Sequence, residues 1–179
     1  MTCRVAITTS RDPSKITLEL VNDFVNSLPG TAKVVRGKKS FTALLEEAVS
    51  CGARYIAFIW DRRGMPSALL FYDVGLGAWK PYMLLISGVK TRRDFPVLVA
   101  RRPRARNAVI VDLAGGELGD IFAEVFHYPL LYDLGAVRGR FDTVVLVRRG
   151  EGYVVELLGP DLGPRALSLK IRKVLYRRV

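Results

Sequence analysis

The chain has 179 residues, half of them hydrophobic and a quarter charged, with a net charge of +11. A chain of that length buries about 70% of its unfolded surface as one domain, which excludes a disordered tail and a fold that depends on metal or disulfide staples. Two cysteines far apart (Cys3 and Cys51), one histidine and no uncharged apolar run near the roughly 20 residues of a membrane span exclude a zinc knuckle and a spanning helix.

The first predicted strand covers Arg4 to Thr8. Asp12 follows as an N-cap with Pro13 at the first helical position, and Leu18, Val21, Phe24, Val25 and Leu28 recur at helical spacing until Pro29-Gly30. A short strand, Lys33 to Val35, leads through Arg36-Gly37-Lys38-Lys39 to Ser40, which caps a second helix with Phe41, Leu44, Leu45 and Ala48 on one face. Tyr55 to Trp60 and Ala68 to Val74 read as a hairpin around a basic loop at residues 61–66, and Pro81 to Ser87 as a further strand. The stretch from Gly88 to Arg106, broken by Pro96 and Pro103, reads as a basic crossing segment.

The pattern then restarts. Val109-Ile110-Val111 is a strand and Glu117 to Phe126 a helix; Thr143 to Val147 and Tyr153 to Leu158 form a hairpin around Arg148-Arg149-Gly150. Leu167, Leu169 and Ile171 alternate with Ser168, Lys170 and Arg172, the period of a strand, although Val174-Leu175 breaks the alternation. Val5 to Thr8 aligns with Val109 to Asp112, and Arg62-Arg63-Gly64 with Arg148-Arg149-Gly150. The two offsets differ by about the length of the unit from Ala32 to Cys51. This predicts a mixed α/β (α+β) fold built by internal duplication: lobe one at about 1–89, a crossing segment at about 90–106, and lobe two at about 107–179, with the second lobe lacking that unit.

Charge is segregated. Residues 90–106 carry seven Lys/Arg and one Asp, and residues 162–179 carry six Lys/Arg and no acid, so these segments hold more than the whole net charge. The absence of Gln and the presence of only three Asn suit a charge-rich thermophilic surface, but such a surface does not explain an excess of one sign. Clustered Lys/Arg suit a polyanion, because they displace the counterions condensed on a phosphate backbone.

Catalytic groups are scarce. His127 sits in the apolar run Phe126-His127-Tyr128-Pro129, the setting of a structural histidine, and a nuclease or ligase site would have to rest on it alone. Arg36-Gly37-Lys38-Lys39-Ser40 imitates a phosphate loop, but Gly30 lies too far upstream. Ala114 to Asp120 has three glycines, but its acids oppose a phosphate. No enzyme signature survives, and no metal or cofactor is expected. What remains is a set of basic loops. Thr9, Ser10, Arg11 and Lys15 surround the first helix start, where free amides favour anions, and Arg36, Lys38 and Lys39 surround the second. Arg62 and Arg63, and Arg148 and Arg149, fill the two hairpin turns. Arg165, Lys170, Arg172 and Lys173 line the closing strand. Few aromatics interleave with these charges, which favours reading of RNA shape and phosphates over base stacking.

The segments Ile7 to Gly30, Arg36 to Ala48, Arg62 to Asp73 and Gly163 to Val174 resemble, in order and over nearly the whole chain, the Brix domain family of ribosome-biogenesis proteins. Where members of the family often show Gly-Pro-Thr followed by aromatics, this chain has Gly75-Leu76-Gly77-Ala78-Trp79. Two thiols in a chain of this kind fit a reducing, cytoplasmic setting, and a monomer is expected. The resemblance implies a non-enzymatic factor of the archaeal single-domain type that binds precursor ribosomal RNA, with other assembly factors as partners. It also implies two lobes similar to the anticodon-binding domain of class IIa aminoacyl-tRNA synthetases. An alternative use of the basic surface is to meet an acidic protein partner within a ribosome assembly complex. The first lobe's helix N-terminus is expected to face RNA. Its counterpart at Asp112 to Gly116 lacks basic residues.

Overall fold

The apolar run that opens the chain is buried along its whole length, Val5 to Thr9, the pattern of a central parallel strand covered on both faces. The structure is a computed structural model that describes residues 3–95 and 102–178. Its first half contains β1 (Val5–Thr9), α1 (Lys15–Ser27), β2 (Thr31–Lys33), α2 (Phe41–Ser50), β3 (Tyr55–Arg62), β4 (Met65–Asp73) and β5 (Ala78–Lys90). The second half contains β6 (Ala108–Asp112), α3 (Glu117–Phe126), β7 (Leu130–Leu131), β8 (Thr143–Arg149), β9 (Tyr153–Leu158) and β10 (Pro164–Tyr176). Single 3-10 turns lie at Arg92–Asp94 and Gly135–Val137.

All these strands join one mixed sheet in the order β2-β1-β3-β4-β5-β10-β9-β8-β6-β7. Read from either edge, the pairing is the same: two parallel ladders, then antiparallel hairpins up to the β5–β10 seam. Following these senses across the sheet makes β1 and β6 antiparallel, so their carboxyl ends point in opposite directions along it. Sheet register matches Val5 with Ala108, opposite Tyr55 and Thr143, one residue away from the expected match with Val109. The difference is physical, because a one-residue slip exchanges faces: Ile7 and Ile110 both enter the central core, whereas Val109 and Val111 face the other side.

Helices α1 and α3 share one face. Leu20, Val21, Phe24 and Leu28 from the first, and Leu118, Ile121, Phe122, Val125 and Phe126 from the second, pack with Phe71, Leu84, Leu167 and Leu169 in a single cluster. Each helix end is tied to the other half. Thr143 Oγ1 donates to the Ser27 carbonyl at 2.6 Å, Tyr128 Oη to the Pro29 carbonyl at 2.6 Å, and Arg4 to the Val125 and Glu124 carbonyls at 3.2 Å. On the opposite face α2 covers Ala6, Ile56, Phe58 and Tyr72, while Val137 covers Val109, Val111, Val144 and Leu146.

Several expectations are corrected. The N-cap of α1 is Ser14, whose Oγ accepts from Thr17 N at 3.2 Å; Asp12 is exposed with a left-handed φ of 51°. Leu20 replaces Leu18 on the buried stripe, and Leu18 is exposed. The lead-in strand lies at Thr31–Lys33, earlier than Lys33 to Val35. Residues 61–66 are mostly strand, because Arg63-Gly64 alone makes the turn, with φ of 53° and 75° as a two-residue hairpin requires. The second half does not lack the unit that follows its first helix: β7 and the turn at Gly135–Val137 occupy that place in reduced form. Ser40 does cap α2, accepting from Ala43 N at 3.1 Å. The closing segment is a strand, and a bulge at Arg172 explains the broken alternation by returning Val174 to the core side.

The described part of the basic crossing segment is a strap. Arg92 N–H donates to Asp23 at 2.8 Å and Arg93 pairs with Glu19 at 2.8 Å, both on α1. Arg104 donates to the Thr31 carbonyl at 2.8 Å, Arg102 pairs with Asp161 at 3.1 Å, and Arg106 N–H donates to Asp142 at 2.9 Å. The Arg106 amide holds Asp142 below the ordinary carboxylate value, and the Arg102 guanidinium does the same for Asp161. Burial raises Asp23 against the pull of Arg92. Residues 96–101 lie outside the described residues. Beneath the strap, Arg165 is 3% exposed and donates to the Pro103 and Asp142 carbonyls, and burial pulls its guanidinium below the ordinary arginine value. It cannot meet a phosphate from there and leaves the RNA-binding candidates. Arg165→Ala should cost about 2–3 kcal/mol, because two carbonyls lose a charged donor. Urea denaturation measures this loss, and the slope of RNA affinity against salt should stay unchanged.

Candidate nucleic-acid interface

At the carboxyl end of β1 the chain turns through Ser10 to Ser14 into α1, beside the β3–β4 hairpin. Register places Ile56, Phe58 and Trp60 on the α2 side of β3, by the alternation of a strand. The first residue of α2, Phe41, comes down on them. Its ring lies 6.1 Å from Phe58, 5.0 Å from Tyr72 and 5.9 Å from Trp79. Trp79 in turn lies 5.1 Å from Phe58 and stands edge-on to Tyr72 at 5.3 Å. The result is a cleft of about 640 Å³ with an aromatic floor, lined also by Thr9, Ser10, Arg11, Arg36, Asp61 and Arg63. Trp60 is 53% exposed and Trp79 38% exposed, so aromatics do interleave with the charges, contrary to expectation.

The start of α1 is not an open anion site. Asp61, reaching from β3, accepts from Ser14 N–H at 2.5 Å and from the Thr17 hydroxyl, while its own N–H donates to Ser10 Oγ at 3.1 Å. A protein carboxylate fills the place expected for a phosphate. The Thr9 hydroxyl is also committed, donating to the Ser10 carbonyl at 2.9 Å, and Thr9 is buried. The side chains of Arg11, Lys15, Lys38, Arg62 and Arg63 are exposed and make no hydrogen bond or ion pair among the described residues. Arg36 caps its own loop at the Lys39 carbonyl, and Lys39 pairs with Glu47, so Ser40 and these cations close the loop on itself without forming a phosphate cradle.

A relative from Pyrobaculum aerophilum, described as a probable Brix domain-containing ribosomal biogenesis protein, is 74% identical over 177 residues, covering 99% of this chain and 98% of its own. The chain belongs to this family. A Brix relative from Methanopyrus kandleri, described in the same words, is 34% identical over 190 residues, covering 92% of this chain and 95% of its own. No protein-family model matches the chain. The crystal structure of a probable ribosomal biogenesis protein from Aeropyrum pernix shares the fold at a TM-score of 0.75 and 24% identity, over 99% of this chain and 97% of its own. That of Mil, an archaeal Imp4-like protein, does so at 0.68 and 20%, over 96% and 99%.

In this Brix chain the departing segment Gly75 to Trp79 delivers Trp79 to the cleft floor. Buried Asp73 fixes the segment, accepting from Leu76 N–H at 2.9 Å and pairing with Arg54 at 3.3 Å. The other candidates lie elsewhere. Arg148 pairs with Glu156 through two bonds of 3.1 and 2.9 Å, and Arg149 stacks at 4.5 Å on Tyr153 while donating to the Ala114 carbonyl at 3.1 Å. Both lie at the β8–β9 turn of the second half, separated from β3 of the cleft by β4, β5, β10 and β9. Lys170 and Arg172 line a separate surface cavity with the β8–β9 turn, and Lys173 is exposed on the same strand. His127 is exposed at the left-handed C-cap of α3, with φ 60°, outside the apolar setting read from its neighbours. Cys3 and Cys51 are free thiols, and burial pushes Cys3 up to about 12. Among the described residues no group of His, Cys, Asp and Glu could hold a metal ion, and no helix is long and apolar enough to cross a membrane.

Asp61 therefore decides how α1 begins. Asp61→Ala should lower stability by about 1–2 kcal/mol, as loss of a helix-start acceptor does. Thermal unfolding monitored by circular dichroism measures it.

Proposed function

We propose that this Brix protein is a non-enzymatic factor of ribosome biogenesis that binds precursor ribosomal RNA during its processing and the assembly of subunits, with the cleft end of lobe one as its principal contact surface. The observation that carries this reading is the set of uncommitted cations at the carboxyl end of β1 and its neighbours, Arg11 and Arg63 lining the aromatic cleft and Lys15, Lys38 and Arg62 in the adjoining loops, where the described arginines of the strap are committed to carboxylates and carbonyls. Free guanidinium and ammonium groups bind phosphates and release counterions. The names of the Pyrobaculum and Methanopyrus relatives support the biological setting. We further infer that the mirrored strand order reflects an internal duplication, each half like the anticodon-binding domain of class IIa aminoacyl-tRNA synthetases. The sheet symmetry supports this reading.

Replacing Arg11, Lys38 and Arg63 together by Gln should weaken binding to structured ribosomal RNA and lower the slope of log affinity against log salt by about two, at roughly 0.7–0.9 per phosphate lost. Filter binding at several salt concentrations reads both quantities. Unchanged affinity and slope would remove this surface from the assignment. Equal binding to heparin and to ribosomal RNA would favour an acidic protein partner instead.

A further inference from the structure

We propose that the cleft of lobe one takes an unpaired RNA segment, its bases stacked on the indoles of Trp60 and Trp79 and its phosphates held by Arg11 and Arg63. This rests on the RNA-binding reading and specifies which part of a folded RNA enters the site.

Indole rings are usually removed from water, yet these two keep 53% and 38% of their surface open. They stand on the same side of the sheet, Trp60 opposite Ala68 and Trp79 opposite Tyr72, four residues apart along β4. Trp79 is braced from below by Phe41, Phe58 and Tyr72, so its orientation is fixed before anything binds. A cleft of about 640 Å³ falls within the roughly 300–1,000 Å³ of sites that enclose small ligands and nucleotides.

The charges select the occupant. Two carboxylates also line the cleft, Asp12 and Asp61. Asp61 has its oxygens taken by the Ser14 amide and the Thr17 hydroxyl, and three arginines, Arg11, Arg36 and Arg63, line the cleft against these two carboxylates. The rim is therefore net basic. An acidic peptide would satisfy the arginines and leave the indoles without use. An A-form duplex presents phosphates and hides the faces of its bases. A single strand supplies both a π-face and a phosphate at each nucleotide, the combination that aromatic platforms with basic rims bind.

Both tryptophans of the chain line this cleft, so tryptophan emission reports on it alone. The full chain is titrated with an oligouridylate of about ten nucleotides, within the usual span of such sites, and separately with an RNA hairpin of equal charge and with polyglutamate. The oligouridylate should quench the emission, while the hairpin stem and polyglutamate leave it unchanged. Trp60→Ala, at an exposed position, should weaken oligouridylate binding roughly ten-fold, and Trp60→Phe should restore most of it. Oligouridylate binding without quenching, equal quenching by hairpin or polyglutamate, or unchanged affinity in Trp60→Ala would each overturn the proposal. Hairpin binding without oligouridylate binding overturns it too, but leaves the broader RNA-binding reading standing. Failure of both RNAs to bind overturns the two together.

Discussion

The pairing of β5 with β10 is the contact on which the rest of the architecture depends. Each strand is thirteen residues long, and their ladder runs from Ser168 opposite Lys90 to Tyr176 opposite Tyr82. Were it absent, each half would end in a long edge strand with unpaired amides and carbonyls, the feature that soluble proteins avoid. The seam also sets where the helices go. It brings the α1 side of one half next to the α3 side of the other, so Phe24 and Phe122 belong to one cluster and the halves share a core. A seam this long must also follow the twist of a wide sheet. Bulges around Ile171 and Arg172 absorb the mismatch and keep both Ile171 and Val174 on the apolar side.

The net charge of +11 divides into two populations once partners are known. In the strap, arginines meet Glu19, Asp23, Asp142 and Asp161, residues far away in sequence, and clamp α1, the start of β2 and the start of β8. A window of sequence sees seven cations and one acid there, because the compensating acids come from elsewhere. Clustering along the chain thus overstated the positive field at residues 90–106. In the first lobe the reverse holds: Arg11, Lys38 and Arg63 are scattered in sequence but gather around one end of the sheet. Electrostatic footprints are properties of the surface, and only long-range pairing reveals which cations remain for a partner.

Sequence periodicity revealed the elements well, for a physical reason. The strands at Tyr55, Val109 and Thr143 are buried runs, α3 has an uninterrupted apolar stripe, and Ser40 is a cap whose hydroxyl needs only local backbone. Those signals are local. What escaped depended on contacts between distant segments. Asp12 looked like the cap of α1, but Asp61, across the sheet, holds the Ser14 amide and starts the helix two residues later. Arg165 looked like one more exposed cation in an alternating strand, until the strap covered it. The cleft is not legible in the sequence because its tryptophans are nineteen positions apart and reach the same face only through their pairing with β4. A hint was present in the alternation of Ile56, Phe58 and Trp60, which puts a tryptophan on the same side as a covered aromatic.

The mirrored topology does not make the two ends of the sheet equivalent. By register, the place of Phe58 and Trp60 in the first lobe is held by Leu146 and Arg148 in the second. Where the first lobe opens an indole to solvent, the second carries a guanidinium closed on Glu156. The loop that matches Ser10 to Ser14 is tied shut as well. Asp112 accepts from Ala114 N–H, Glu117 accepts from the Tyr153 hydroxyl, and Arg149 covers Tyr153. Gly116 sits so close that a Cβ there would lie 2.4 Å from the Tyr153 hydroxyl. The reduced unit after α3 removes the remaining requirement, since a cleft wall like that formed by α2 and Phe41 needs a helix, and Gly135–Val137 supplies one turn. The same scaffold thus carries an open, aromatic and basic end, and a second end whose polar groups are spent on its own stability.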